Sequence, residues 1–75
     1  MDYYEARRRA RAILGGAADV QEEKGVPGKL NLFPCRIGVW VKHERAAARF
    51  VIVAAKGNWE EALKEAHEKQ ALGAP

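Results

Sequence analysis

Arg36, Trp40 and Lys42 fall at positions of the same parity in one short segment, and Arg45 and Arg49 follow close behind. In an extended chain, same-parity side chains leave one face. A strand over this segment therefore groups Arg36, Trp40 and Lys42, places Arg45 in the turn that follows, and lets Arg49 join from the next strand. A tryptophan between cations can stack on a base while the cations meet phosphates. The same residues also suit a plainer role. Trp40 can pack under a loop or in a dimer interface, with the cations keeping an exposed strand soluble. A second cluster is Arg7-Arg8-Arg9-Ala10-Arg11. On a helix Arg7, Arg8 and Arg11 gather on one side beside Tyr4, with Arg9 nearly opposite. Such a side suits phosphates or an acidic protein surface, or is simply a solvated face.

Other reactive side chains do not assemble into a catalytic set. Cys35 is followed by Arg36, which would lower a thiol pKa. A base is missing nearby in sequence, although His43 could approach across a hairpin. His67 flanks the apolar stripe of the last helical segment and reads as packing. Cys35, His43 and His67 lack metal-site spacing, so no metal is expected. Gly15-Gly16 and Gly25-Val26-Pro27-Gly28 lack the spacing and the Lys-Ser/Thr of a phosphate loop. Without a nucleophile–base or paired-carboxylate arrangement, the sequence reads as non-enzymatic, with no cofactor and no small-molecule substrate.

Charge is unevenly spread. Across residues 24–56, Lys24, Lys29, Arg36, Lys42, Arg45, Arg49 and Lys56 stand against Glu44 alone. Across 57–75, Glu60, Glu61, Glu65 and Glu68 outnumber Lys64 and Lys69. The middle is basic and the C-terminal segment acidic, which points to nucleic acid or an acidic protein surface as partner of the middle. The chain has 75 residues and one cysteine, enough for one domain with a modest core and no internal disulfide. A chain this small relies on tidy packing or self-association. No apolar run approaches the ~20 residues that span a bilayer, and no signal-peptide core is visible. The expectation is a cytoplasmic protein without a membrane partner.

The elements that must hold these residues read as follows. Asp2-Tyr3-Tyr4-Glu5 fits a capping box, in which Asp2 accepts a backbone N–H and Glu5 reaches back. It opens a helix over about 2–14 with Tyr3, Ala6, Ala10, Ile13 and Leu14 as its stripe. Gly15-Gly16 stops it, and Ala17 to Lys24 reads as a frayed turn or short second helix. After the Gly25–Gly28 turn come strands over about 29–33, 36–42 and 49–55. The first is an edge strand ended by Pro34. The second sends Ile37, Val39 and Val41 one way and Arg36, Gly38, Trp40 and Lys42 the other. His43 to Ala47 form the loop. The third is nearly all apolar, as for a strand buried on both faces or pressed against a partner. Asn58-Trp59-Glu60-Glu61 caps a helix over about 58–71. Trp59, Ala62, Leu63 and Ala66 form its stripe, Glu60–Lys64 and Glu65–Lys69 its i,i+4 pairs, and Gly73-Ala74-Pro75 its end. The layout is α+β: α-β-β-β-α, a three-stranded antiparallel sheet with both helices on one face, in a single domain over 1–75.

That order resembles the double-stranded-RNA-binding domain, a likeness that implies docking across two minor grooves. That family places a lysine cluster at the start of its last helix, where this chain has Trp59, Glu60 and Glu61. Arg36 to Lys69 resembles the sheet-plus-helix DNA-binding arms of phage integrases. There the sheet enters the major groove, and Arg36, Trp40, Lys42 and Arg49 would be the readers. Gly57-Asn58-Trp59-Glu60-Glu61-Ala62-Leu63 looks like the strand-to-helix junction of HicB-type antitoxins.

The expected function is therefore that of a small accessory protein of bacterial or phage type. It would bind nucleic acid through Arg36, Trp40, Lys42, Arg45 and Arg49, with Arg7, Arg8 and Arg11 as auxiliary phosphate contacts. The alternative is a protein-binding regulator or inhibitor, phage anti-host or anti-CRISPR-like, and a homodimer through the hairpin face fits either.

Overall fold

The chain is described here by a computed structural model covering residues 1–73. Its elements are α1 (Tyr3–Leu14), β1 (Ala18–Glu22), β2 (Cys35–His43), β3 (Ala46–Lys56) and α2 (Trp59–Gly73). The strands form one antiparallel sheet in the order β1-β2-β3, so β2 is central and the other two are edges. The α+β class, the element order and the packing of helices against a three-stranded antiparallel sheet agree with the sequence. Ala74 and Pro75, part of the expected helix stop, lie outside the described residues.

Both helices begin as their caps dictate. Asp2 Oδ1 accepts the Glu5 N–H at 2.8 Å, and Asn58 Oδ1 accepts the Glu61 N–H at 2.9 Å. Glu5 does not reach back to close a box; it pairs with Arg9 at 2.9 Å. In α2, Glu65 pairs with Lys69 at 2.9 Å and with Lys56 of β3 at 3.2 Å. Glu60 and Lys64 form no ion pair among the described residues.

The expected stripes are the buried ones. Ala6 and Ala10 of α1 and Trp59, Ala62, Leu63 and Ala66 of α2 close on Ala18, Val20, Cys35, Ile37 and Ala54 of the sheet. Most of these are alanines, so helices and sheet approach closely, but each methyl removes little apolar area from water. Ile37 and Val20 are the largest fully buried side chains. Tyr3 closes one end of the core edge-on against Trp59, ring centroids 6.4 Å apart.

Two expectations about the sheet need correction. The first strand is Ala18–Glu22, not 29–33, and the segment read as a frayed turn or helix is β1. Ala18 and Val20 point inward and Asp19 and Gln21 outward, a period of two that matches a half-buried strand. Residues 23–34 instead form a loop tied to itself. Pro27-Gly28 makes a tight turn with Gly28 at φ +83, the sign a type II turn needs at that position. Val26 and Lys29 exchange main-chain hydrogen bonds of 3.1 and 2.9 Å across it. Asn31 Nδ2 donates to Glu23 O at 2.7 Å, and Asn31 Oδ1 accepts the Phe33 N–H at 3.0 Å. With the backbone so occupied, Leu30, Leu32 and Phe33 have no strand to pair with and remain exposed. The second correction concerns β3. It is not buried on both faces: it is an edge, and Val51 and Ile52 are 41% and 46% exposed.

Register explains a constraint at Gly38. The pairing shifts between Ile37↔Ala54 and Gly38↔Ile52, leaving Val53 as an extra residue in β3. Next to this bulge the Phe50 ring lies over Gly38: a Cβ there would sit 2.8 Å from Phe50 Cζ and collide with the Val51 carbonyl. Only glycine lets the ring cross the central strand.

Candidate nucleic-acid interface

β1 pairs with β2 from Glu22↔Cys35 to Ala18↔Val39, and a last bond runs from the Trp40 N–H to Ala17 O at 2.9 Å. Past Trp40, β2 and β3 continue alone as a two-stranded ribbon, closed by a turn at Glu44-Arg45 that is tighter than the expected loop from His43 to Ala47. Lys42, His43, Arg45 and Arg49 on this ribbon are all exposed. Lys42, Arg45 and Arg49 make no ion pair among the described residues.

Trp40 sits at the base of the ribbon on the face away from the helices. It is 42% exposed and packs against Phe50 directly opposite, with ring centroids 5.1 Å apart. Its Nε1 donates to Asp19 Oδ2 at 3.2 Å. Asp19 gathers further partners. Its Oδ1 accepts the Val20 N–H at 2.8 Å. Arg7 Nε lies 3.2 Å from the same oxygen, a charge contact in which the N–H is not aimed at it, so this buried nitrogen has no hydrogen-bond acceptor. Partial burial pushes the Asp19 carboxyl up. The hydrogen bonds from Val20 and Trp40 and the charges of Arg7 and Arg11 together outweigh that and hold it below the usual carboxylate value.

The eight residues singled out from the sequence divide accordingly. Trp40 and Lys42 lie on the ribbon and its base, and Arg45 caps its tip. Arg49 stands opposite Val41, so alternation sends it to the face opposite Trp40. Arg36 shares Trp40's face but is held by Glu23 at 2.7 Å. On α1, Arg7 reaches Asp19, Arg11 Nε donates to Ala18 O at 3.2 Å, and Arg8 is exposed without such a contact. Sequence reasoning missed three residues that shape this face: Asp19 beneath Trp40, Phe50 beside it, and Glu23 on Arg36. Asp19 was legible only once Ala18–Glu22 was read as a strand.

Cys35 and His43 end β2 at opposite ends, opposite Lys56 and Ala46 respectively, so His43 does not approach the thiol. Burial, and then the Glu22 charge, push the Cys35 thiol above its usual value, favouring the unreactive form. Among the described residues no group of three or more His, Cys, Asp or Glu is placed to hold a metal ion. Nor is any helix among them long and apolar enough to cross a membrane.

The fold and this face define a small α+β protein with a projecting basic ribbon. The chain matches no protein-family model, no curated protein and no solved structure.

Proposed function

We propose that this is a non-enzymatic accessory protein that binds nucleic acid through the β2–β3 ribbon. The observation that supports this reading is the set of exposed cations without acidic partners among the described residues: Lys42 and Arg45 on and beyond the half-exposed Trp40–Phe50 pair, with Arg49 on the reverse face of the same narrow ribbon. Cations on such a ribbon release counterions from a phosphate backbone, and the free part of the Trp40 face can stack a base. Arg8 and the partly exposed Arg7 extend the positive surface along α1. Glu60 and Glu61 at the start of α2 are exposed acids, so the backbone would pass along the ribbon and avoid that end. A cytoplasmic, reducing location suits the free Cys35.

The test is a salt-titrated binding assay with single- and double-stranded DNA and RNA. Binding should weaken steeply with salt. Replacing Lys42, Arg45 and Arg49 by alanine should reduce the slope of log affinity against log salt by roughly 1 per lost phosphate contact. Trp40→Ala should weaken single-strand binding by ~1–3 kcal/mol, with Trp40→Phe as a control that loses the Asp19 bond but keeps a stacking ring. No binding at low salt, or a slope unchanged in the triple variant, ends this reading.

A second reading, a regulator or inhibitor that docks on a protein, is favoured by the loop between β1 and β2. Val26, Leu30, Leu32 and Phe33 are 62%, 82%, 66% and 53% exposed there, a cluster of the kind that marks protein contacts. A stoichiometric protein partner recovered after nuclease treatment and lost in Leu30→Glu would support it over the first.

A further inference from the structure

We infer that the open edge of β3 pairs with β3 of a second copy, antiparallel and centred on Phe50, joining two sheets into one of six strands. The inference stands on the sheet alone and does not depend on nucleic-acid binding.

Main-chain direction is fixed along the sheet. The Trp40 N–H points to β1, so by alternation Val39 and Val41 turn theirs to β3. Their partners Val51 and Arg49 face back, which leaves the N–H and C=O groups of Ala48, Phe50 and Ile52 pointing outward. Nothing among the described residues covers them. The free run ends at Val53, whose carbonyl accepts Lys69 Nζ from α2 at 2.6 Å. The other edge offers no such run: Ala18 O and Val20 O of β1 accept Arg11 Nε and Tyr3 OH, and the Val20 N–H is taken by Asp19.

The occupant follows from the sequence of the edge. A two-fold axis at Phe50 sets Phe50 against Phe50, Arg49 against Val51, and Ala48 against Ile52. No like charges stand directly opposite, small residues face large ones, and an aromatic pair lies at the centre, each favourable across strands; the two Arg49 side chains become diagonal neighbours, whose flexible exposed stems let the charges diverge. The same axis sends the two basic turns at Glu44-Arg45 to opposite ends, which keeps their charge apart. Because the axis is perpendicular to the sheet, both Trp40–Phe50 pairs fall on one continuous face. The need for a partner is also plain: an apolar edge strand with Val51 and Ile52 half-exposed is a pairing template, and a core built mostly from alanine leaves a small domain reliant on association.

Sedimentation equilibrium of the full chain across the micromolar range, without nucleic acid, tests this. The wild type should approach twice the chain mass as concentration rises. Ala48→Pro removes only an outward N–H, which an edge strand tolerates, and should stay at the chain mass with an unchanged circular-dichroism spectrum. Ile52→Lys should do the same. Amide hydrogen exchange at Phe50 and Ile52 should slow with increasing wild-type concentration while that at Arg49 and Val51 does not change in step. A wild type that remains monomeric throughout overturns the inference. So does a dimer that persists in both variants, or one whose formation leaves exchange at Phe50 and Ile52 unaltered.

Discussion

At the β1 edge, Arg11 and Tyr3 reach from α1 to the carbonyls of Ala18 and Val20, and Asp19 folds back on the Val20 N–H. At the β3 edge, Lys69 reaches from α2 to Val53, and the strand continues uncovered to the hairpin turn. The two edges differ because the two helices sit differently. α1 lies along a strand of five residues and covers it; β3 has eleven and outruns the helix that packs on its C-terminal end. Arg7 and Arg11 are engaged at β1, while Lys42, Arg45 and Arg49 on the uncovered ribbon pair with no acid among the described residues. A charged side chain's role here depends less on its sequence neighbours than on whether a bare carbonyl or carboxylate lies within its reach.

The severest way to break the open side is Gly38→Ala. The new methyl would drive Phe50 and the Val51 backbone away from β2, and overpacking at a site with no room costs about 3 kcal/mol or more. Urea unfolding should show the midpoint collapse, and a loss no larger than that of a surface substitution would mean the Phe50 ring does not lie over Gly38.

A smaller effect separates the edges directly. Tyr3→Phe removes one partly buried hydrogen bond to Val20 O and should cost about 1 kcal/mol. Lys69→Met removes an exposed one to Val53 O together with the solvent-exposed ion pair to Glu65, both weak in water, and should cost about 0.5 kcal/mol or less. Paired unfolding curves compare them; equal losses would erase the distinction between a closed and an open edge.

The subtlest test is acid. Asp19 has a folded-state pKa below its unfolded value, so its contribution to stability is complete above the unfolded value and is lost as pH falls through the folded one. Glu65, lowered by its hydrogen bonds from Lys69 and Lys56, behaves the same way on the open side. Asp19→Asn should flatten part of the acid-limb fall in stability and leave the Glu65 part. A pH profile of unfolding that is superimposable on wild type would show that Asp19 is not held by Arg7, Arg11 and Trp40.

Much of the architecture is legible in local chemistry. Asp2 and Asn58 cap helices because a short polar side chain beside a helical run can satisfy backbone donors. Ala6, Ala10, Trp59, Ala62, Leu63 and Ala66 announce their buried faces by helical spacing, and Ile37 and Val39 alternate as a central strand must. Each of these is settled within a few residues, by local hydrogen bonding and spacing, which is why it can be read along the chain. Which segment became the first strand was decided elsewhere. Lys29–Phe33 and Ala18–Glu22 both alternate, and the choice fell to the one that could lie under α1 with its carbonyls capped. The candidate site divides in the same way. The basic, aromatic character of residues 36–49 is written in the chain, but the pairing of Trp40 with Phe50 and Asp19, the capture of Arg36 by Glu23, and the diversion of Arg7 and Arg11 to β1 arise from contacts between residues far apart in sequence. Those contacts come from folding, because a charge pair or a strand register depends on what the fold brings alongside, and no local pattern records it.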